Sequence, residues 1–222
     1  MRTNTSSGFA PRKTPVQARA AVTVGAISEA TIQILLKQGA DRLTTTRVAE
    51  RAGVSVGTLY QYYPNKQSLL FAVLATHLDN VAASVESACL RARGTPLAGM
   101  IETVVEAYLD AKTERIDVSL ALYQCAADVG GPALVKRVAQ RSRKALEAML
   151  QTAPEISATA KGPDPFAVEM MFAAMAGTTR HVLEAGASPV MLRNLRRHLV
   201  VLCQSYLGAV AASAPGGRCV VR

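Results

Sequence analysis

The stretch Ser55–Tyr62 reads SVGTLYQY, a run of hydroxyls, an amide, two phenols, two branched apolar residues and a glycine without a single charge. Side chains of these types suit one kind of chemistry, contact with the edges of base pairs. Gln61 can pair bidentately with adenine, Thr58 can bond a base edge or touch a thymine methyl, and Val56 offers an apolar contact to the same methyl. Tyr60 and Tyr62 extend hydroxyls that can reach bases or phosphates. A surface helix without such a task would carry Glu, Lys or Ala at these places. Gly57 costs a helix about 1 kcal/mol relative to alanine, a cost that makes sense if a Cβ there would collide with DNA. Thr45 and Thr46 before the stretch and Lys66 after it can bond phosphate from either side.

Those side chains need elements to hold them, and the local sequence supplies the signals. Thr44 is placed to cap a short helix, TTRVAERA, that ends at Gly53. Ser55 caps a second short helix after a tight turn, and Pro64 ends it. Two short helices joined this way form a helix-turn-helix, with Val48, Ala49, Ala52, Val54, Leu59 and Tyr63 facing inward. An earlier helix runs to Gln38 with Ile27, Ala30, Ile34 and Leu35 on one face, and Gly39 stops it. Asn65 caps a long helix carrying Leu69, Leu70, Val73, Leu74 and Leu78.

LTTTRVAERAGVSVGTLYQYYPNKQSLLFAVL, residues 43–74, resembles the DNA-binding signature of the TetR family of bacterial transcriptional regulators nearly throughout. AGVS, GTLY, the aromatic Tyr63 and Lys66 followed by SLL carry the likeness, which covers about the first third of the chain. Long apolar-periodic runs set between 10 prolines and 15 glycines predict an all-α protein of about nine helices, and the resemblance implies a three-helix DNA-binding lobe, then a larger ligand-responsive lobe that dimerises through its last two helices. It implies base contacts from Val56, Gly57, Thr58 and Tyr60. It implies phosphate contacts from Thr45, Thr46, Gln61, Tyr62 and Lys66, so both roles stay open for Gln61. The sequence departs from the family pattern at Gln67-Ser68, where acids are common.

Charge agrees with a polyanion as partner. Of a formal net charge of +9, residues 1–70 carry +6, from nine Lys/Arg against Glu29, Asp41 and Glu50. A basic lobe attracts double-stranded DNA, and counterion release makes the binding salt-dependent. The recognition stretch itself has no Lys or Arg, so attraction must come from its flanks and from the N-terminal arm. The four cysteines, Cys89, Cys125, Cys203 and Cys219, show no CxxC spacing and suit reduced thiols. Residues 1–20 have no apolar signal region and no apolar run approaches the roughly 18 residues of a membrane span, so a cytoplasmic protein without a membrane partner is expected. His181-x-x-Glu184 lacks a second pair and reads as structural, so neither metal nor cofactor is expected. No nucleophile elbow, P-loop or dinucleotide fingerprint occurs, and a helical carrier or enzyme is the competing reading.

Beyond Leu90, Thr95-Pro96, Gly131-Pro132, Asp164-Pro165 and Ser188-Pro189 each put a capping-type residue before proline. Proline fits the first helical position, so helices are expected over roughly 96–111, 115–128, 132–151, 165–185 and 189–212. The chain divides into a basic arm (1–20), a DNA-binding lobe (21–67), a helical effector and dimerisation lobe (68–213) and a tail (214–222). In the last helix Leu192, Leu195, Leu199, Leu202 and Tyr206 are spaced as a heptad seam. With Phe172 and Met175 of the preceding helix they are the expected homodimer interface. Tyr108, Tyr123, Cys125, Met171, Met175, Arg180 and His181 are the residues that could line an effector cavity, and their composition suggests a mainly apolar small molecule. KRVAQRSRK, residues 136–144, reads as a basic, solvated helix face.

Overall fold

Side-chain caps set five of the helix starts, and no strand occurs among the residues that the computed structural model describes, 15–157 and 162–213. Among these residues ten α-helices follow one another: α1 (Pro15–Arg42), α2 (Thr45–Ala52), α3 (Val56–Tyr62), α4 (Lys66–Ala92), α5 (Leu97–Thr113), α6 (Ile116–Cys125), α7 (Gly131–Leu150), α8 (Pro154–Ser157), α9 (Pro165–Glu184) and α10 (Pro189–Ser213). A 3-10 turn, Ala127–Val129, lies between α6 and α7. The chain divides into two compact units, with the boundary after Val73, inside α4. Residues 15–20 of the expected arm are helical, as the start of α1. The rest of the arm and the tail 214–222 lie outside the described residues.

In the first unit, Ile27, Ile34, Leu43, Val48, Ala49, Leu59, Leu69 and Leu70 form the core. Gly39 has φ 78°, a left-handed conformation that breaks α1 into its main body and one further turn. Gly53 does the same for α2 at φ 67°, and its N–H bonds back to Ala49 and Glu50. Thr44 and Ser55 cap α2 and α3 by accepting from the N–H groups of Arg47 and Thr58. Asn65 and Ser68 bond reciprocally, Ser68 N–H to Asn65 Oδ1 at 2.8 Å and Asn65 N–H to Ser68 Oγ at 3.2 Å. Ser68 therefore completes a capping box at the position where the family favours an acid.

In the second unit α5, α9 and α10 enclose a core that includes Met100, Ile101, Val104, Val105, Val168 and Met171, with Leu146 and Met149 from α7. Asp164 caps α9 through Phe166 N–H, and Ser188 caps α10 through Met191 N–H, as the Asp-Pro and Ser-Pro pairs predict. Thr95-Pro96 does not follow that rule. Pro96 precedes the helix, and the hydroxyl of Thr95 donates to the Ala92 carbonyl instead. The Leu97 N–H is satisfied by both carboxylate oxygens of Glu155 at 3.1 Å. Glu155 sits on α8, a one-turn helix that periodicity is too coarse to reveal.

Two helical segments, Arg19–Arg42 and Lys66–Ala92, are long and apolar enough by composition to cross a membrane. This corrects the expectation that no run approaches that length. In this fold both turn apolar stripes inward, through Ile27, Ala30 and Ile34 in the first and Leu70, Val73, Val81 and Val85 in the second.

Candidate nucleic-acid interface

One buried leucine orients α3. Leu59 is fully buried, whereas Ser55, Val56, Gly57, Tyr60, Gln61 and Tyr62 are exposed and Thr58 is half-buried. Every residue expected to meet bases thus lies on the outer side of the helix or at its rim. Tyr60 is 49% exposed, although burying a phenol ring is favourable. Its hydroxyl lies 3.1 Å from Thr45 Oγ1, which joins the N-terminus of α2 to the middle of α3. Ser55 Oγ and Thr58 Oγ1 are 2.8 Å apart, so the side chain of Thr58 is already oriented. Tyr62 and Tyr63 have ring centroids 6.4 Å apart, and Tyr63 is half-buried, its pKa raised by burial and then by Tyr62.

Gly57 is informative because nothing among the described residues requires it. A Cβ built there would meet only Ser55 Oγ at 3.8 Å, an ordinary contact, and its φ is not positive. Its outer side is open, and the residue that helix propensity would choose is absent.

The basic residues divide into two groups. Lys66 Nζ donates to the Ala40 carbonyl at 2.6 Å, and Arg47 donates to the Arg42 carbonyl at 3.1 Å and to Gln38 at 3.0 Å. These cations satisfy carbonyls at the end of α1, where a helix leaves acceptors unpaired and its dipole favours positive charge. Arg51 is tied to Gln33 at 2.7 Å. Charge read from the sequence as free attraction is therefore partly structural. Lys66 keeps two ammonium hydrogens for a phosphate. Replacing Lys66 with Met should weaken binding to every duplex by about the same factor. It should also cost the first unit about 1.5–3 kcal/mol in chemical denaturation, as the loss of a charged hydrogen bond.

The expected effector residues do not all come together. Tyr108 is buried, with Phe172 edge-on at 6.1 Å between centroids. Tyr123 has Lys112 Nζ 5.1 Å and Arg180 Cζ 5.4 Å from its ring centroid. Met171 and Met175 lie on the buried stripe of α9 that continues to Thr179. Cys125 is buried at the end of α6, while His181 is exposed. Lys112, Thr179, His77 and Ser119 were not among the sequence candidates. His77 Nε2 lies 3.2 Å from Ser119 Oγ, which itself donates to the Lys112 carbonyl at 3.0 Å. A signal for Lys112 existed: it follows Val104, Val105, Tyr108 and Leu109 at helical spacing, so it continues their stripe.

The expected dimer seam also needs correcting. Met175, Leu195 and Leu199 are buried in this chain's own core, joined by Cys203 and Leu207, so they are not available to a second copy. Phe172 packs on Tyr108, and Leu192 and Tyr206 are half-buried. Of the seven, only Leu202 is exposed, at 45%. The face that α9 and α10 leave uncovered includes Met170, Ala173, Gly177, Val201 and Leu202. In the basic helix α7, Arg141 is held by both oxygens of Glu86, at 2.5 and 2.7 Å, and by Asp79. Arg143 bonds Glu169. That face is part ion-pair network as well as solvated surface. Burial raises the thiol pKa values of Cys89 and Cys203 to about 12 and about 11, which makes both poor thiolates.

Comparison with known proteins places this architecture. Residues 27–73 match the model of bacterial regulatory proteins of the tetR family, and residues 96–207 match the tetracyclin repressor-like C-terminal domain. The HTH-type transcriptional repressor KstR of Mycolicibacterium smegmatis is 43% identical over 70 residues, covering 32% of this chain and 34% of that protein. KstR of Mycobacterium tuberculosis is 37% identical over 70 residues, 32% of this chain and 31% of that one. Each match spans about a third of the relative's length. Over a longer stretch, the fatty acid degradation regulator FadR from Bacillus halodurans shares the fold with a TM-score of 0.65 at 17% identity, covering 81% of this chain and 97% of that one. The TetR-family regulator PfmR from Thermus thermophilus gives a TM-score of 0.59 at 16% identity, over 82% and 97%. With an exposed helix-turn-helix face in the first unit and family models matched across both units, the chain belongs to the TetR family of bacterial regulatory proteins.

Proposed function

We propose that this chain is a sequence-specific DNA-binding transcriptional regulator. In this reading it acts in the bacterial cytoplasm as a dimeric repressor on a palindromic operator and is released by a small, mainly apolar effector. The observation that carries the reading is the outer face of α3, uncharged, oriented by hydroxyl bonds and carrying a glycine that the protein's own packing does not need. Val56, Gly57, Thr58 and Tyr60 read bases. Thr45, Thr46, Gln61, Tyr62 and Lys66 bond phosphate, and Ser55 caps the helix that presents them. The naming of KstR as a transcriptional repressor supports the direction of regulation.

Dimerisation uses the uncovered face of α9 and α10, where Met170, Ala173, Gly177, Val201 and Leu202 leave apolar or small groups in water. A dimer on two half-sites needs its recognition helices about 34–36 Å apart or a multiple of that. An effector that favours another arrangement lowers affinity by shifting the population, with α4, which belongs to both units, as the coupling element.

Selection from random duplexes tests this reading. The enriched site should be a palindrome whose half-sites are separated by whole helical turns. Because Ala173 and Val201 are exposed, Ala173→Asp with Val201→Asp should leave the fold intact and shift sedimentation to the monomer. The same change should lower operator affinity more than tenfold, toward that of a half-site. Enrichment of no sequence would sink the reading, and a variant that stays dimeric would remove the proposed interface.

A further inference from the structure

The second unit contains a largely buried charge with no ion-pair partner among the described residues. Lys112, in the last turn of α5, is 5% exposed. A lysine at a helix end ordinarily extends its ammonium into water, but this one lies against the ring of Tyr123. Among the described residues it has no carboxylate within ion-pair distance and no hydrogen-bond acceptor, and the neighbouring Arg180 is paired with Glu184 at 2.7 Å. Burial pushes the ammonium's pKa down to about 8, with no acid nearby to raise it. Even so, the charged form prevails at neutral pH. Buried charges are almost always paired, so an unpaired one calls for a reason.

A second observation comes from a different helix. Thr179 Oγ1 on α9 is fully buried without a hydrogen-bond partner. The buried Tyr108 lies beside it, its hydroxyl close to Thr179 without a bond of good geometry, and burial raises its pKa. Such orphaned groups are rare in native interiors. Phe172, Met171 and Met175 supply apolar surface on the same side of α9, and methionine repacks readily around a guest.

Building on the reading that this unit takes an effector, we propose that Lys112, Tyr108 and Thr179 form the anion-binding end of its site. The effector is then an apolar monocarboxylate, whose carboxylate pairs with the ammonium and accepts from the two hydroxyls while its body packs on Phe172, Met171 and Met175. Tyr123, half-buried between Lys112 and the exposed Arg180, covers this end.

Calorimetry on the full chain with dodecanoate, phenylacetate and naphthoate, each beside its own primary amide, tests the proposal. At least one acid should bind tenfold or more tightly than its amide, and Lys112→Met should abolish that preference. Lys112→Met should also raise the melting temperature by several degrees, since it removes a buried unpaired charge at similar volume. Thr179→Val provides a second variant, expected to weaken acid binding severalfold with the fold intact. No acid preferred over its amide, or a preference that survives Lys112→Met, would overturn the proposal. Duplex affinity is scored separately. An acid that binds through Lys112 without changing it leaves this site standing and removes only the ligand-release reading.

Discussion

Gly57→Ala is expected to stabilise the first unit by up to about 1 kcal/mol while lowering operator affinity by roughly 100-fold or more. The two effects have opposite signs for separate reasons. Within the chain an added Cβ meets only Ser55 Oγ at 3.8 Å, so the helix gains propensity and loses nothing. Against a base pair the same carbon would push α3 outward and stretch its neighbours' contacts. Each good base contact discriminates by about 1–3 kcal/mol, so losing two of moderate strength gives the stated factor. Denaturant midpoints and titrations of the selected duplex on the same preparations would read both quantities. A variant that is more stable and binds as tightly as before would show that Gly57 does not approach DNA.

The second large effect is acid sensitivity from His77. Burial, and after it the charge of Lys112, lowers the pKa of His77 from 6.5 to about 4. The unfolded chain therefore binds more protons than the folded chain between those values. Stability present above pH 6.5 is lost as pH falls toward 4, by an amount on the order of 3 kcal/mol. His77→Gln keeps an amide to bond Ser119 and does not titrate. It should lose markedly less stability than wild type when urea denaturation is compared at pH 7 and 4.5, a difference that cancels the carboxylates common to both. Equal losses would mean that His77 is protonated in the folded chain without cost.

Much of the first unit is legible from sequence because its signals are local. Thr44, Ser55 and Asn65 cap helices whose N–H groups lie three residues away, and Gly39 and Gly53 terminate by their own φ. The outward face of α3 is legible because Leu59 alone fixes its rotation. What sequence hides is the distant partner. Thr95-Pro96 looks like a helix start, yet the cap on the Leu97 N–H comes from Glu155, 58 residues beyond Leu97. Lys66 and Arg47 are plainly basic, but only the fold shows that they satisfy carbonyls at the end of α1. Heptad spacing in α10 reveals an apolar stripe and says nothing of what covers it. Leu195 and Leu199 turned inward, and the outer face carries Val201 and Leu202. Lys112 is the strongest case, since charge predicts a surface position and the packing overrules it.

The reading of Ser55–Tyr62 as a base-reading face is tested most directly by one ratio, the affinity for the selected palindrome over that for a scrambled duplex of equal length and composition, at a single salt concentration. If that face meets base edges, the ratio is about 1,000 or more for the wild-type chain. It then falls steeply in Thr58→Ala with Tyr60→Ala, while affinity for the scrambled duplex stays within a few-fold. A wild-type ratio near one, or a ratio that survives the double substitution, would contradict it.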